Sequence, residues 1–99
     1  KVIGGETLLA RIDDTWTELD VSKITSQIAE KEATLAFERD ELKRYEGMLK
    51  DDAVPRSEAE RERTTIKELE ASISQLNVML KAAQERKRDA SAKLHALHR

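Results

Sequence analysis

The 99 residues include no cysteine, one proline, three glycines and three aromatic side chains. Each scarcity removes a class of explanation. Without cysteine there is no disulfide framework and no thiol chemistry, and an oxidising compartment is permitted. So few glycines leave no phosphate-cradling loop after a strand. Three aromatics and a 38% hydrophobic content are poor provision for a compact globule of this size. No apolar run approaches the length that spans a bilayer, and no signal peptide is visible. The chain opens on Lys1 rather than Met, so it reads as an excised piece of a longer protein, and a missing targeting signal then carries no information. Charge of one sign is lacking too. Eighteen Lys and Arg against twenty Asp and Glu leave a net charge of −2 with both signs interspersed. A nucleic-acid surface would show a basic stripe, so no nucleic-acid partner is expected.

What the chain does have is Ala, Glu, Lys, Leu and Arg, the composition of long helices with a narrow apolar seam. Val21, Ile28, Leu35, Leu42 and Leu49 recur every seven residues. Ile24 and Tyr45 add a second row, which Lys31 and Glu38 interrupt. Further on, Ala59, Ile66, Ile73, Leu80 and Leu94 repeat the spacing with Lys87 as the exception, beside Leu69, Leu76, Ala83, Ala90 and Leu97. Two such rows per helix describe a coiled-coil seam.

Between the two helical stretches lies Asp51-Asp52-Ala53-Val54-Pro55. Proline has no amide donor and pushes the residue before it out of the α conformation, so one helix stops here. Ser57 and Glu60 have capping-box spacing for the next. The expectation is an antiparallel hairpin: helix 1 over residues 14–50, a tip at 51–56 and helix 2 over 57–98. Two registers satisfy the spacing. One sets Leu42 by Leu69 and Tyr45 by Ile66; the other sets Leu35 by Leu69 and Ile24 by Leu80.

Residues 1–13 differ from the rest. Gly4-Gly5 marks a turn and Leu8 to Ile12 reads as a short strand, with a frayed leader as the alternative. Helix 1 then starts near Thr15, where Thr15 and Glu18 have capping-box spacing and Asp13 and Asp14 suit the positive end of the helix dipole. Trp16 is expected to pack at the junction with the β segment.

No catalytic constellation is found, so no enzyme activity, cofactor or metal is expected. His95 and His98 lack an acidic third ligand on their face and read as exposed. The mixed-sign runs at Arg61–Arg63 and Glu85–Asp89 read as solvated helix surface. The tip is the candidate site. It gathers Arg44, Met48, Leu49, Val54, Pro55, Arg56 and Ser57 at the end of the hairpin, either as a self-covered turn or as a surface that docks on another helical protein.

Here the pattern resembles the membrane fusion proteins, or periplasmic adaptor proteins (HlyD-like), of tripartite efflux pumps and type I secretion systems. In that family a lipoyl-like β domain is split by a long helical hairpin. The approach to the hairpin, a glycine turn and then Leu-x-x-Ile-Asp, is similar to Gly4-Gly5 followed by Leu9-Ala10-Arg11-Ile12-Asp13. The family's tip pattern, Arg-Tyr-x-x-Leu-Leu and then Ile or Val-Ser-x-x-Glu, resembles Arg44-Tyr45-Glu46-Gly47-Met48-Leu49 with Val54-Pro55-Arg56-Ser57-Glu58. The resemblance implies an all-α antiparallel coiled-coil hairpin, with residues 1–13 a fragment of the lipoyl-like domain. It implies a periplasmic location within an inner-membrane-anchored protein, self-association of adaptor copies and docking on a TolC-type outer-membrane channel. An inner-membrane transporter would be met through parts outside this stretch. Arg44 and Met48 take the arginine and leucine positions linked to docking, while Pro55 stands where that pattern has serine. The alternative from another class is a cytosolic coiled-coil scaffold or tether, which explains the heptads but not residues 4–13.

Overall fold

A computed structural model describes residues 3–97. Lys1 and Val2 of the expected β segment, and His98 of the histidine pair and of the helix 2 terminus, lie outside the described residues. Among the described residues there are two elements: α1, Ile3–Lys50, and α2, Arg56–Leu97. The fold is all-helical, a hairpin of two long helices.

The short strand is corrected. Among the described residues there is none, and residues 3–13 are the opening turns of α1. Gly4 and Gly5 are helical with negative φ, so neither forms a turn. The seam explains why. Thr7 and Asp14 continue the seven-residue row of Val21 backwards, and Ala10 and Thr17 continue that of Ile24. Ala10 is 1% exposed. A strand would need an edge to pair with, whereas lengthening a helix adds one hydrogen bond for each residue fixed. Thr15 and Glu18 accordingly lie inside α1 and cap nothing.

The packing divides into two compact parts. In the first, formed by the described residues up to Gln27 with those from Leu76 onward, Ala10, Ile24 and Ala83 are buried. Leu76, Leu80, Ala90, Leu94 and Leu97 are half-buried around them, and Lys87 holds its expected place in the row. The stem of such a lysine covers apolar surface while its ammonium stays in water. Ser91 Oγ donates to Asp14 Oδ1 at 2.5 Å, and Arg86 pairs loosely with Asp20 at 3.8 Å.

The second part, Ile28–Gln75, buries Ile28, Leu35, Ala59 and Ile66. Lys31 turns to solvent, but Glu38 stays half-buried in the seam. Arg39 bridges to Glu70 at 2.9 Å and Arg63 to Glu46 at 3.2 Å. As the number rises on α1 it falls on α2, which fixes these helices as antiparallel. Both pairs lie closer to the register that sets Leu42 by Leu69. In the first part, Asp14–Ser91 and Asp20–Arg86 lie closer to the register that sets Ile24 by Leu80.

Threonines within the helices satisfy their hydroxyls on the helix itself. Thr25, Thr34, Thr64 and Thr65 each donate to the carbonyl four residues back.

Ala83, fully buried, tests the seam. Ala83→Leu is expected to lower stability by about 1–3 kcal/mol through overpacking. The same change at exposed Ala71 should move it by no more than about 0.5 kcal/mol. Urea unfolding followed by circular dichroism checks both.

Candidate functional site: the hairpin tip

The reversal between α1 and α2 is built by backbone hydrogen bonds donated by Asp51, Asp52, Ala53 and Glu58. Asp52 N–H donates to the Leu49 carbonyl at 3.1 Å, and Ala53 N–H donates to the Met48 carbonyl at 2.8 Å. Asp52 has φ of 53°, the left-handed conformation. These two bonds around one left-handed residue form a Schellman motif, which satisfies carbonyls that the end of α1 would otherwise leave open. Glycine usually holds the left-handed place; aspartate is one of the few other residues that tolerate it.

Val54 then leaves the helical path, as a residue before proline must. Pro55 stands immediately ahead of α2, where its missing amide removes no helical bond, and its carbonyl accepts from Glu58 N–H at 3.1 Å. The helix therefore opens at Arg56, one residue earlier than the Ser57 boundary expected of a capping box. Ser57 lies within the first turn, and the Glu60 carboxylate accepts from Arg63 at 2.7 Å instead of reaching back to the cap. Ala59, 0% exposed, has no side chain beyond Cβ to hold the helices apart just below the turn.

The expected site residues divide by exposure. Arg44, Pro55, Arg56 and Ser57 are exposed; Met48, Leu49 and Val54 are half-buried. Leu49, Asp52, Val54, Arg56, Glu60 and Arg63 line a cleft of about 400 Å³. Arg44 does not line it. Its guanidinium clasps Glu41 at 2.6 and 3.3 Å and lies 5.2 Å from the centre of the Tyr45 ring. The hydrogen bond to Glu41, then that carboxylate's charge, raise the Arg44 pKa, so this arginine stays protonated.

Sequence reasoning missed Arg63, which joins Glu46 on α1 to Glu60 on α2 and forms one wall of the cleft. The run containing it read as plain solvated surface. It also missed an apolar stripe at the other end of α1. Leu9, Ile12, Trp16 and Leu19 follow a three-four-three spacing and are 64%, 42%, 63% and 55% exposed. Trp16 is thus not packed at a junction, which corrects its expected role. The spacing is visible in the sequence, but it competes with the stronger seam beside it.

Among the described residues no group of three His, Cys, Asp or Glu is placed to hold a metal ion, and no helix is long and apolar enough to cross a membrane.

The fold and this tip define a helical-hairpin arm. Residues 20–86 match the family described as RND MFP, alpha-helical hairpin domain, and the chain belongs to that membrane fusion protein family. Multidrug resistance protein MdtA of Xenorhabdus bovienii (strain SS-2004) is 31% identical to it over 87 residues, which are 88% of this chain and 19% of that protein. The chain thus spans about a fifth of the length of this curated relative. No solved structure matches the chain significantly.

The reversal yields a prediction. Asp52→Gly is expected to raise stability by about 0.5–1 kcal/mol, because glycine takes a positive φ without steric cost. Asp52→Val should lower it by a larger amount, since a β-branched residue fits that conformation poorly. Thermal unfolding of the two variants beside the unaltered chain decides this.

Proposed function

We propose that this hairpin is the docking arm of a periplasmic adaptor anchored in the inner membrane. It acts as a spacer and contact surface rather than as an enzyme. The full-length protein would link an inner-membrane transporter to a TolC-type outer-membrane channel, the transporter supplying the energy. The observation that carries the reading is the family match over residues 20–86. The RND description and the multidrug-resistance relative favour efflux over type I secretion. In this reading the lipoyl-like β domain implied by the family resemblance lies outside the described helices.

The tip has the surface such a role needs: half-buried Met48, Leu49 and Val54 for apolar contact, with Arg44 and Arg56 exposed beside them. Arginine can bond carboxylates or backbone carbonyls at the ends of a partner's helices. Adaptor copies would meet one another through the Leu9, Ile12, Trp16 and Leu19 stripe. Its three-four-three spacing is that of a coiled-coil seam, so a second copy of the same helix is a fitting occupant.

Two outcomes are expected. Arg44→Glu combined with Met48→Asp in the full-length protein should abolish transport while the variant is still produced and helical; unimpaired transport would end the docking reading. Trp16→Glu should shift the chain towards monomer in sedimentation equilibrium. An unchanged mass distribution would remove the stripe from the self-association proposal.

A further inference from the structure

The tip cleft sets four charged side chains around two apolar ones. Leu49 and Val54, both half-buried, supply its apolar part, and Asp52, Arg56, Glu60 and Arg63 line the rest. The four charges are not equivalent. Arg63 pairs with Glu60 at 2.7 Å and with Glu46 at 3.2 Å, so these groups answer one another. Asp52 and Arg56 are exposed, and among the described residues neither forms an ion pair. The cleft therefore carries one free anion and one free cation beside apolar surface.

The turn holds the backbone under both charges. Asp52 occupies the left-handed place, with its amide committed to the Leu49 carbonyl. Arg56 follows Pro55, whose ring fixes φ. A partner that buries Leu49 and Val54 covers the two charges as well. An ion taken out of water without a counter-ion is costly. A wholly apolar partner leaves both ions unanswered, and a wholly acidic one meets Arg56 but repels Asp52.

We infer that the cleft is a socket for an apolar side chain on a partner helix that carries an acid and a base beside it, the acid meeting Arg56 and the base meeting Asp52. This rests on the docking reading and names the chemistry of the partner at that same site. Residues three or four apart are neighbours on a helix, so an apolar residue flanked at that spacing by an acid and a base presents all three groups together. Arg44 stands outside the socket, held by Glu41.

Binding of the full-length protein to a purified TolC-type channel, followed by surface plasmon resonance, tests this. Arg56→Glu should weaken binding about tenfold or more. Lys67→Glu, the same charge change at an exposed position outside the cleft, should stay within about twofold. Asp52→Asn is the sharper variant, because asparagine also accepts the left-handed conformation. It should lose affinity; a partner offering acids alone would bind it more tightly. Tighter or unchanged binding of Asp52→Asn overturns the socket, as does unchanged binding of Arg56→Glu. If Arg44→Glu with Met48→Asp still abolishes binding in that case, docking at the tip stands without the socket. If that double variant also binds normally, both fall together. Circular dichroism checks the fold of each variant, and Arg56→Gln replaces Arg56→Glu should the latter not fold.

Discussion

The hairpin depends on a few hydrogen bonds at one place, where the Met48 and Leu49 carbonyls receive amides from beyond the end of α1. A helix with so narrow an apolar seam is marginal by itself, because propagation gains little once nucleation has been met and the seam stays wet. By turning the chain within five residues, the tip presents each seam to its partner intramolecularly. Association then no longer depends on chain concentration, and loop closure over so few residues costs little entropy. The left-handed Asp52 and the fixed φ of Pro55 make the turn specific: one ends α1 and the other is already shaped for the start of α2.

With the seams paired, stability rests on few side chains. Among the described residues Ala10, Ile24, Ile28, Leu35, Ala59, Ile66 and Ala83 are the buried apolar side chains, and three of these seven are alanines. Alanine contributes little apolar area but admits close approach, so the larger neighbours on the opposite helix gain contact. The cross-helix pairs Arg39–Glu70 and Arg63–Glu46 are partly exposed and add little energy. Their role is to discriminate between registers. A slip would separate these charges while apolar rows repeating every seven residues still found apolar neighbours.

That division explains what the sequence made legible. The rows from Val21 to Leu49 and from Ala59 to Leu97 are regular because burial demands it, and they announced both helices and the seam. Register was not legible, since it lies in long charged side chains whose reach spans several positions. The opening of α1 was misread because its seam is carried by Thr7, Ala10, Asp14 and Thr17, none of them a large apolar residue, while Leu8, Leu9 and Ile12 face away. Of the candidate site, the break at Pro55 was plain. The left-handed residue was hidden because it is Asp52 rather than glycine.

The same geometry constrains what a docking partner would have to offer. Arg44 is engaged by Glu41, and Arg63 is engaged by both Glu46 and Glu60, so these two arginines are answered within the chain. Among the described residues Arg56 forms no ion pair. A partner that met Arg44 or Arg63 by charge alone would have to break existing pairs and would gain little net energy from exchanging them. In the docking reading, the favourable terms are therefore apolar burial of Met48, Leu49 and Val54 and a new bond to Arg56. The charged pairs around them exclude wrongly charged surfaces more than they attract the right one. Pro55 fits this division of labour. Without a hydroxyl or an amide to donate, it would offer a docking partner a rigid apolar edge between the cleft and the start of α2.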